Sequence, residues 1–380
     1  MTFSLCMIVK NEEKHLSRCL DSVKGIFDEL VIVDTGSTDE TKRVAYAYTD
    51  KVYDFAWCDD FSAARNASFS YATGDYVAWL DADDRLDEES RVKWEQLKTT
   101  LEPQTDAVMM PYVAAPGFVY YRERLVKRMA HFSWVGFVHE VLPVRGNIVY
   151  SDITVHHAPE KARGVSERNL RLYEKKLAAG VRFTARETYY YARELLEHQK
   201  NERAATYLKQ FLDMPHGWFA DKTEACLLLY SLYAETDNDS ARQYLTRALG
   251  YEQVTPRALC LMGDECLRTN RLQQALFWYR TALECPKEYR KSGFVQTDYE
   301  VYYPALSLCV CYDRLGDRKT AAEFNEMAAG VHPTSEAVQY NREYFDMRTK
   351  EEEPVQTVEK KLLPGKKMTN KACIFWQSTV

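Results

Sequence analysis

No stretch of this 380-residue chain approaches the roughly 18–20 uninterrupted apolar residues that a membrane-spanning helix requires. The longest candidate, Val108–Tyr121, is broken by Pro111 and Pro116. The opening run, MTFSLCMIVKNEE, is too short in apolar residues for a secretory signal and passes straight into acids, so it reads as a first strand. Ten cysteines are present, but no CxxC spacing occurs and the one close pair is Cys309 and Cys311. That scatter predicts free, mostly buried thiols in a reducing compartment, hence a cytoplasmic protein with no stable membrane insertion. A basic surplus is missing as well: 50 Lys and Arg stand against 56 Asp and Glu, a net charge of −6. A dedicated nucleic-acid or anionic-lipid binder would be basic, so neither is expected. With 46% apolar and 28% charged residues the composition is that of a folded globular chain, and the length predicts two or three domains.

The acidity is uneven. Residues 1–160 hold 17 Lys and Arg against 26 Asp and Glu, whereas the remainder holds 33 and 30. A carboxylate surplus in the first half suits a divalent-cation site, although acidic surface alone would give the same count.

The first half alternates strand and helix. Phe3–Val9 reads as a strand, Glu12–Val23 as a helix with apolar residues at Leu16, Cys19, Leu20 and Val23, and Leu30–Val33 as a short buried strand. Thr38 is positioned to cap a helix beginning at Asp39. Ala63–Ala72 reads as a further helix and Tyr76–Leu80 as a further strand. Repeated strand–helix–strand units predict an α/β, Rossmann-like, mostly parallel sheet covered by helices, with ligands beyond the carboxyl ends of the strands.

From Val165 to Thr349 the period changes and everything reads helical. Ala204-x-x-Tyr207, Ala241-x-x-Tyr244, Ala275-x-x-Trp278 and Ala321-x-x-Phe324 recur at offsets of 37, 34 and 46 residues, each after a turn. A helix pair every 34 residues or so is the tetratricopeptide period, and an insertion around Glu288–Tyr299 accounts for the long last offset. The boundaries expected are 1–163 for the α/β domain, 164–349 for the all-α repeats and 350–380 for a charged linker ending in the apolar patch Ala372–Trp376, which would dock on this protein or on a second copy, giving a homodimer.

Three motifs carry the chemistry. Tyr76-Val77-Ala78-Trp79-Leu80 delivers Asp81 and Asp83 into a turn, and residues two apart face one side of an extended chain. Two convergent carboxylates suit Mg²⁺ or Mn²⁺, though an acidic turn capping the next helix has the same look. Val31-Ile32-Val33-Asp34-Thr35-Gly36-Ser37 puts Asp34 at the end of a strand, where it can accept hydrogen bonds from a ligand or form its own turn. Ser62-Ala63-Ala64-Arg65-Asn66 offers Arg65 to a phosphate or to one of the aspartates.

In order and spacing, "SLCMIVKNEEKHLSRCLDSV", "VIVDTGSTDET", "SAARNAS" and "GDYVAWLDADD" resemble the family 2 glycosyltransferases of GT-A fold. More weakly, "RERLVKRMAHFSWVGFVHE" and "DITVHHAPEKARGVSERNLRLYEKKL", followed by repeats, resemble the subgroup that fuses such a domain to tetratricopeptide repeats, which includes the sublancin-type peptide S-glycosyltransferases. The resemblance implies a nucleotide-sugar donor, most often a UDP-sugar, and inversion at the anomeric carbon. It places Val9, Lys10, Asn11 and Glu12 along the nucleoside, Asp34 on the base and Arg65 near the nucleotide. Asp83 would ligate the cation directly, with Asp81 on the sugar side or acting through water.

A hydroxyl acceptor needs a general base, a thiol less so. Glu140 is the first candidate and Asp84 the second; an ion pair of Glu140 with Arg124 or Arg128 is the plainer alternative. His157, then His156, could complete a cation shell. Arg124, Lys127 and Arg128 read as a basic loop able to meet a diphosphate, His139 as a further histidine of the same region and Trp134 as a wall of the acceptor cleft or as core. The function expected is metal-dependent transfer of a sugar to a peptide or protein acceptor on Cys, Ser or Thr, held by the repeat surface. The rivals are a transferase of envelope polysaccharide or lipid-linked glycan, a non-catalytic repeat scaffold and, less favoured, a nucleotidyltransferase, whose Gly- and Lys/Arg-rich activating loop is missing near the first strand.

Overall fold

A computed structural model describes residues 1–159 and 166–352. The first 159 residues form β1 (Phe3–Val9), α1 (Leu16–Ser22), β2 (Glu29–Asp34), α2 (Thr41–Tyr46), β3 (Val52–Asp54), α3 (Phe61–Ser70), β4 (Tyr76–Trp79), β5 (Asp84–Leu86), α4 (Glu88–Thr100), β6 (Ala107–Ala115), β7 (Phe118–Lys127), β8 (Ile148–Tyr150) and β9 (Val155–His157). The sheet runs β3-β2-β1-β4-β7-β6-β9-β5, with β8 also on β6. β1, β2, β3 and β4 are mutually parallel where they pair, and β7 joins β4 antiparallel. β1 and β4 are apolar almost throughout and buried on both faces, as parallel strands covered by helices must be. Their carboxyl ends, together with that of β2, put Val9, Asp34 and Asp81 along one edge.

Several local expectations shift. The second helix starts at Thr41 rather than Asp39, and Thr38 does not cap it; its amide instead donates to Asn11 Oδ1 at 2.8 Å. Asp60, not foreseen, caps α3 by accepting from the Ala63 amide at 3.0 Å. The proline-broken run Val108–Tyr121 is an antiparallel hairpin, β6 with β7. Pro111 is tolerated because it falls between the β6 residues that pair with β8 and those that pair with β9.

The chain divides into two compact units. The first comprises Met1–Glu252 with Glu288–Val295; besides the sheet it contains α5 (Glu167–Ala178), α6 (Ala185–Glu197), α7 (Asn201–Asp213), α8 (Phe219–Tyr233) and α9 (Asn238–Ala248). The second comprises Gln253–Lys287 and the residues from Gln296 on, with α10 (Pro256–Arg268), α11 (Leu272–Leu283), α12 (Tyr302–Arg314), α13 (Arg318–Ala329) and α14 (Glu336–Glu352). The helices pair as the repeat predicts: α6 with α7 and α8 with α9 in one unit, α10 with α11 and α12 with α13 in the other. Each repeat alanine, Ala204, Ala241, Ala275 and Ala321, lies buried on the second helix of its pair. Close approach is set from the first helix too. A Cβ at Gly263 would stand 2.5 Å from the Tyr279 ring.

The Glu288–Tyr299 insertion is real as an interruption between α11 and α12, and its first part belongs to the other unit. The expected boundary at 163/164 lies outside the described residues. So does the tail beyond Glu352, including Ala372–Trp376; α14 covers Lys350–Glu352. Nine cysteines are described and all are free thiols, with only Cys58 exposed.

Candidate active site

A cleft of about 770 Å³ is lined by Val9, Lys10, Asp81 and Asp83 from the carboxyl edge of the sheet and by residues of α6 and α8. All of its lining residues belong to the first compact unit.

Asp34 is buried and divides its two oxygens between tasks. Oδ1 accepts from the amides of Gly36 and Ser37, both at 2.9 Å, closing the turn after β2. Gly36 sits at φ +100°, a conformation that favours glycine. Oδ2 has no hydrogen-bond partner. A buried carboxylate oxygen without a partner costs free energy, so it is a place where a ligand N–H or O–H belongs. Of the two readings left open by the sequence, the hydrogen bonds show the turn former; Asp34 itself is not among the residues lining the cleft. Asn11 is in the left-handed region at φ 56° and is not among the residues lining the cleft. Its amide donates to Ser37 Oγ and its Oδ1 accepts from Thr38, so it ties the loop after β1 to the loop after β2. Val9, Lys10 and Glu12 line the cleft, and Glu12 meets His15 Nδ1 at 2.8 Å.

Beyond β4, the side chains of Asp83, Asp84 and His157 each bring a ligand atom within 4.8 Å of the other two. His157 Nδ1 is 3.6 Å from Asp83 Oδ1 and has no hydrogen-bond partner; Asp84 Oδ1 is also buried without one. Two hard oxygens, one imidazole nitrogen and orphaned buried atoms fit Mn²⁺, and Mg²⁺ less well because of the nitrogen. β5 and β9 pair Asp84 with His157 and Arg85 with His156, which explains the choice between the histidines. His156 faces the other side and meets Asp87 Oδ2 at 3.1 Å, so the structure does not bring it to the cluster.

Nor does the structure bring Asp81 there. Asp81 Oδ1 takes Arg65 Nη2 at 2.7 Å, while Arg65 Nε donates to Glu140 Oε1 at 2.5 Å. Burial alone would raise the Asp81 pKa, but the guanidinium groups of Arg65 and Arg124 outweigh it and hold the pKa at about 2. Glu140 is thus an ion-pair residue, and its partner is Arg65 rather than Arg124 or Arg128. Asp84, the second candidate base, is fully buried, with Oδ2 2.9 Å from Arg124 Nη1, and is not among the residues lining the cleft.

Arg124, Lys127 and Arg128 are not a loop. They belong to β7 and its end, where Arg124 is buried, Lys127 Nζ donates to the Pro103 carbonyl at 2.7 Å and Arg128 Nε to that of Gly74 at 2.7 Å. Trp134 is core, 2% exposed and edge-on to Trp79 at 4.9 Å, not a cleft wall. His139 Nε2 donates to Glu194 Oε1 at 2.7 Å and the ring stacks on Tyr190, fastening the loop before Glu140 to α6.

Sequence reasoning missed Trp79 as a hub. The guanidinium carbons of Arg65, Arg122 and Arg124 lie 4.7, 4.6 and 3.9 Å from its ring centroid. It also missed the α6–α8 wall, because Arg186, Arg193 and Asp221 sit in repeat helices whose apolar period dominates the pattern.

Residues 4–147 match the family described as Glycosyl transferase family 2. The SPbeta prophage-derived glycosyltransferase SunS of Bacillus subtilis is 29% identical over 257 residues, 62% of this chain and 60% of that protein. A TPR repeat-containing protein of Synechococcus elongatus is 43% identical over 120 residues, 29% of each chain. The chain therefore spans less than two thirds of either curated relative. Among solved structures, Staphylococcus aureus TarS 1-349 aligns over 64% of this chain and 90% of its own, at 14% identity and a TM-score of 0.37. Among the described residues no helix is long and apolar enough to cross a membrane.

Proposed function

We propose that this chain, whose residues 4–147 match the family described as Glycosyl transferase family 2, is a glycosyltransferase that transfers a sugar from a UDP-sugar, with inversion and with a bound divalent cation, to a Cys, Ser or Thr of a peptide or protein. The observation that carries this reading is the Asp83–Asp84–His157 cluster, in which Asp84 Oδ1 and His157 Nδ1 are buried without a hydrogen-bond partner. These three residues would hold Mn²⁺, which supplies Lewis-acid stabilisation of the departing diphosphate. The residues of the chain do the rest. Asp34 Oδ2 accepts a hydrogen bond from the donor's base, and Asn11 keeps the two flanking loops in register for it. Arg65 holds Asp81 and Glu140 in fixed positions at the cleft, so that Asp81 meets the donor on its sugar side while Glu140 positions Arg65 in turn. Fixed dipoles and charges of this kind stabilise developing charge without reorganising.

A peptide or protein acceptor is supported by the helical wall of the cleft and by the resemblance to transferases with fused repeats. Calorimetric titration of UDP with and without Mn²⁺, followed by nucleotide release from a panel of UDP-sugars, tests the donor half. Binding that needs Mn²⁺ is the expected result; no heat with UDP under either condition would refute the reading.

A further inference from the structure

We propose, resting on that reading, that the acceptor's nucleophile is bound and deprotonated by Asp221, a residue of the helical wall rather than of the α/β domain. Every other carboxylate lining the cleft except the exposed Glu197 is committed, Glu12 to His15. Asp81 and Glu140 are held by Arg65, Glu123 stands 3.3 Å from Arg122 Nη2, Glu194 takes His139 and Asn169, and Asp83 belongs to the cation cluster. Asp221 lines the same cleft, is 6% exposed, and neither accepts a hydrogen bond nor forms a salt bridge within 4 Å in the described structure. A carboxylate nine-tenths buried and opening onto a cleft is placed to accept an O–H or S–H from whatever enters it.

Its position is rigidly built. Asp221 lies in the first turn of α8, and that turn is clamped by the 288–295 segment of the same compact unit. Trp218 Nε1 donates to the Ser292 carbonyl at 2.9 Å, and Gly293 comes so close that a Cβ there would stand 3.0 Å from Ala220 Cβ. The next residue, Phe294, stacks on Phe118 at 5.4 Å and lies under the Arg193 guanidinium. The charged and titratable groups around Asp221 are Arg186, Arg193, Tyr189 and Tyr190 of α6 and Glu224 of α8. Burial raises the proton affinity of Asp221, Arg186 and Arg193 oppose this in part, Glu224 adds to it, and the pKa settles at about 6. A base with that affinity is ionised at neutral pH yet takes a proton readily.

The step balances without any further reagent. The acceptor oxygen or sulfur forms a bond to the anomeric carbon. The bond from that carbon to the diphosphate oxygen breaks with its electron pair on the diphosphate, and the acceptor's proton passes to the Asp221 carboxylate.

The test uses the full chain with Mn²⁺, water as the nucleophile, and UDP-glucose, UDP-N-acetylglucosamine and UDP-galactose as probes, comparing wild type with Asp221→Asn, Asp221→Glu and Glu140→Gln. UDP affinity is measured separately by calorimetry. We expect Asp221→Asn to keep UDP affinity within twofold, to lose at least about 100-fold in UDP release, and to lose the fall in kcat/KM that wild type shows below about pH 6. Asp221→Glu should recover at least a tenth of the rate, which separates a chemical role from damage to the fold. Wild-type turnover by Asp221→Asn, an acid limb that persists in it, or UDP binding by wild type with turnover of no probe would each overturn the assignment. Transfer of the acid limb's loss to Glu140→Gln would do so as well. Failure of wild type to bind UDP would instead strike the donor reading beneath it.

Discussion

Arg65 Nη2 stands 2.7 Å from Asp81 Oδ1, so the first carboxylate of the Asp-x-Asp turn has one oxygen tied to an arginine. The same guanidinium grips Glu140 and rests against Trp79 and Trp134, at 4.7 and 4.9 Å. Removing it would strand two carboxylates.

Arg65→Ala is therefore expected to destabilise the fold by about 3–5 kcal/mol, the cost of breaking a buried pair from one side. Arg65→Lys should recover only part of this, because an ammonium cannot serve Asp81 and Glu140 in a planar fork. Chemical denaturation of the three proteins measures it; equal midpoints would show the pairing to be of no consequence.

Asp34→Asn should leave the fold intact and weaken UDP binding about 10- to 100-fold, or 1.4–2.8 kcal/mol. The amide oxygen can still accept from Gly36 and Ser37, while the NH₂ replaces the lone acceptor Oδ2 by a donor. Calorimetry with UDP beside a thermal melt reads both halves of the prediction.

Asp83→Ala and His157→Ala should each abolish or sharply weaken Mn²⁺-dependent UDP binding, whereas His156→Ala should alter it less than twofold, since His156 faces Asp87 on the opposite side of β9. Titration of Mn²⁺ against the UDP-loaded variants checks this. A strong effect at His156 with none at His157 would reverse the assignment.

Acid should expose a second, structural carboxylate. Burial raises the Glu29 pKa, but Lys51, Ser4 and Thr73 outweigh that and bring it from 4.5 down to about 2. A pKa depressed by folding contributes stability that is complete above about pH 4.5 and is lost as the pH falls towards 2. Glu29→Gln should thus lower stability at pH 7 and flatten the fall between pH 5 and pH 2, as urea denaturation across that range would show. An unchanged acid slope would count against the assignment.

Much of this was legible in the sequence where one residue type at one spacing has one use. Apolar runs ending in aspartate announced β2, β4 and the edge they share, and the recurring alanines announced the paired helices. Partner choice was not legible. Arg65 and Glu140 are 75 residues apart, and only the fold brings them to 2.5 Å. The same holds for Asp84, which looks like an open turn carboxylate in the sequence and proves to be neutralised from below by Arg124 of β7. The hairpin hid behind Pro111 because local rules disfavour proline in a strand, and whether a neighbour needs its missing amide is decided by strands some 40 residues further on.

Trp79 makes a last point. Three like-charged side chains crowd one indole from around its ring, and each is answered by a carboxylate elsewhere: Arg65 by Asp81 and Glu140, Arg122 by Glu123, Arg124 by Asp84. The ring works as a keystone of an arch whose stones repel one another. A leucine there would leave the positive arms facing each other across a gap, and the disturbance would reach α3, β5 and β7 together, so this interior position is open to far less drift than its purely apolar neighbours Val77 and Ala78.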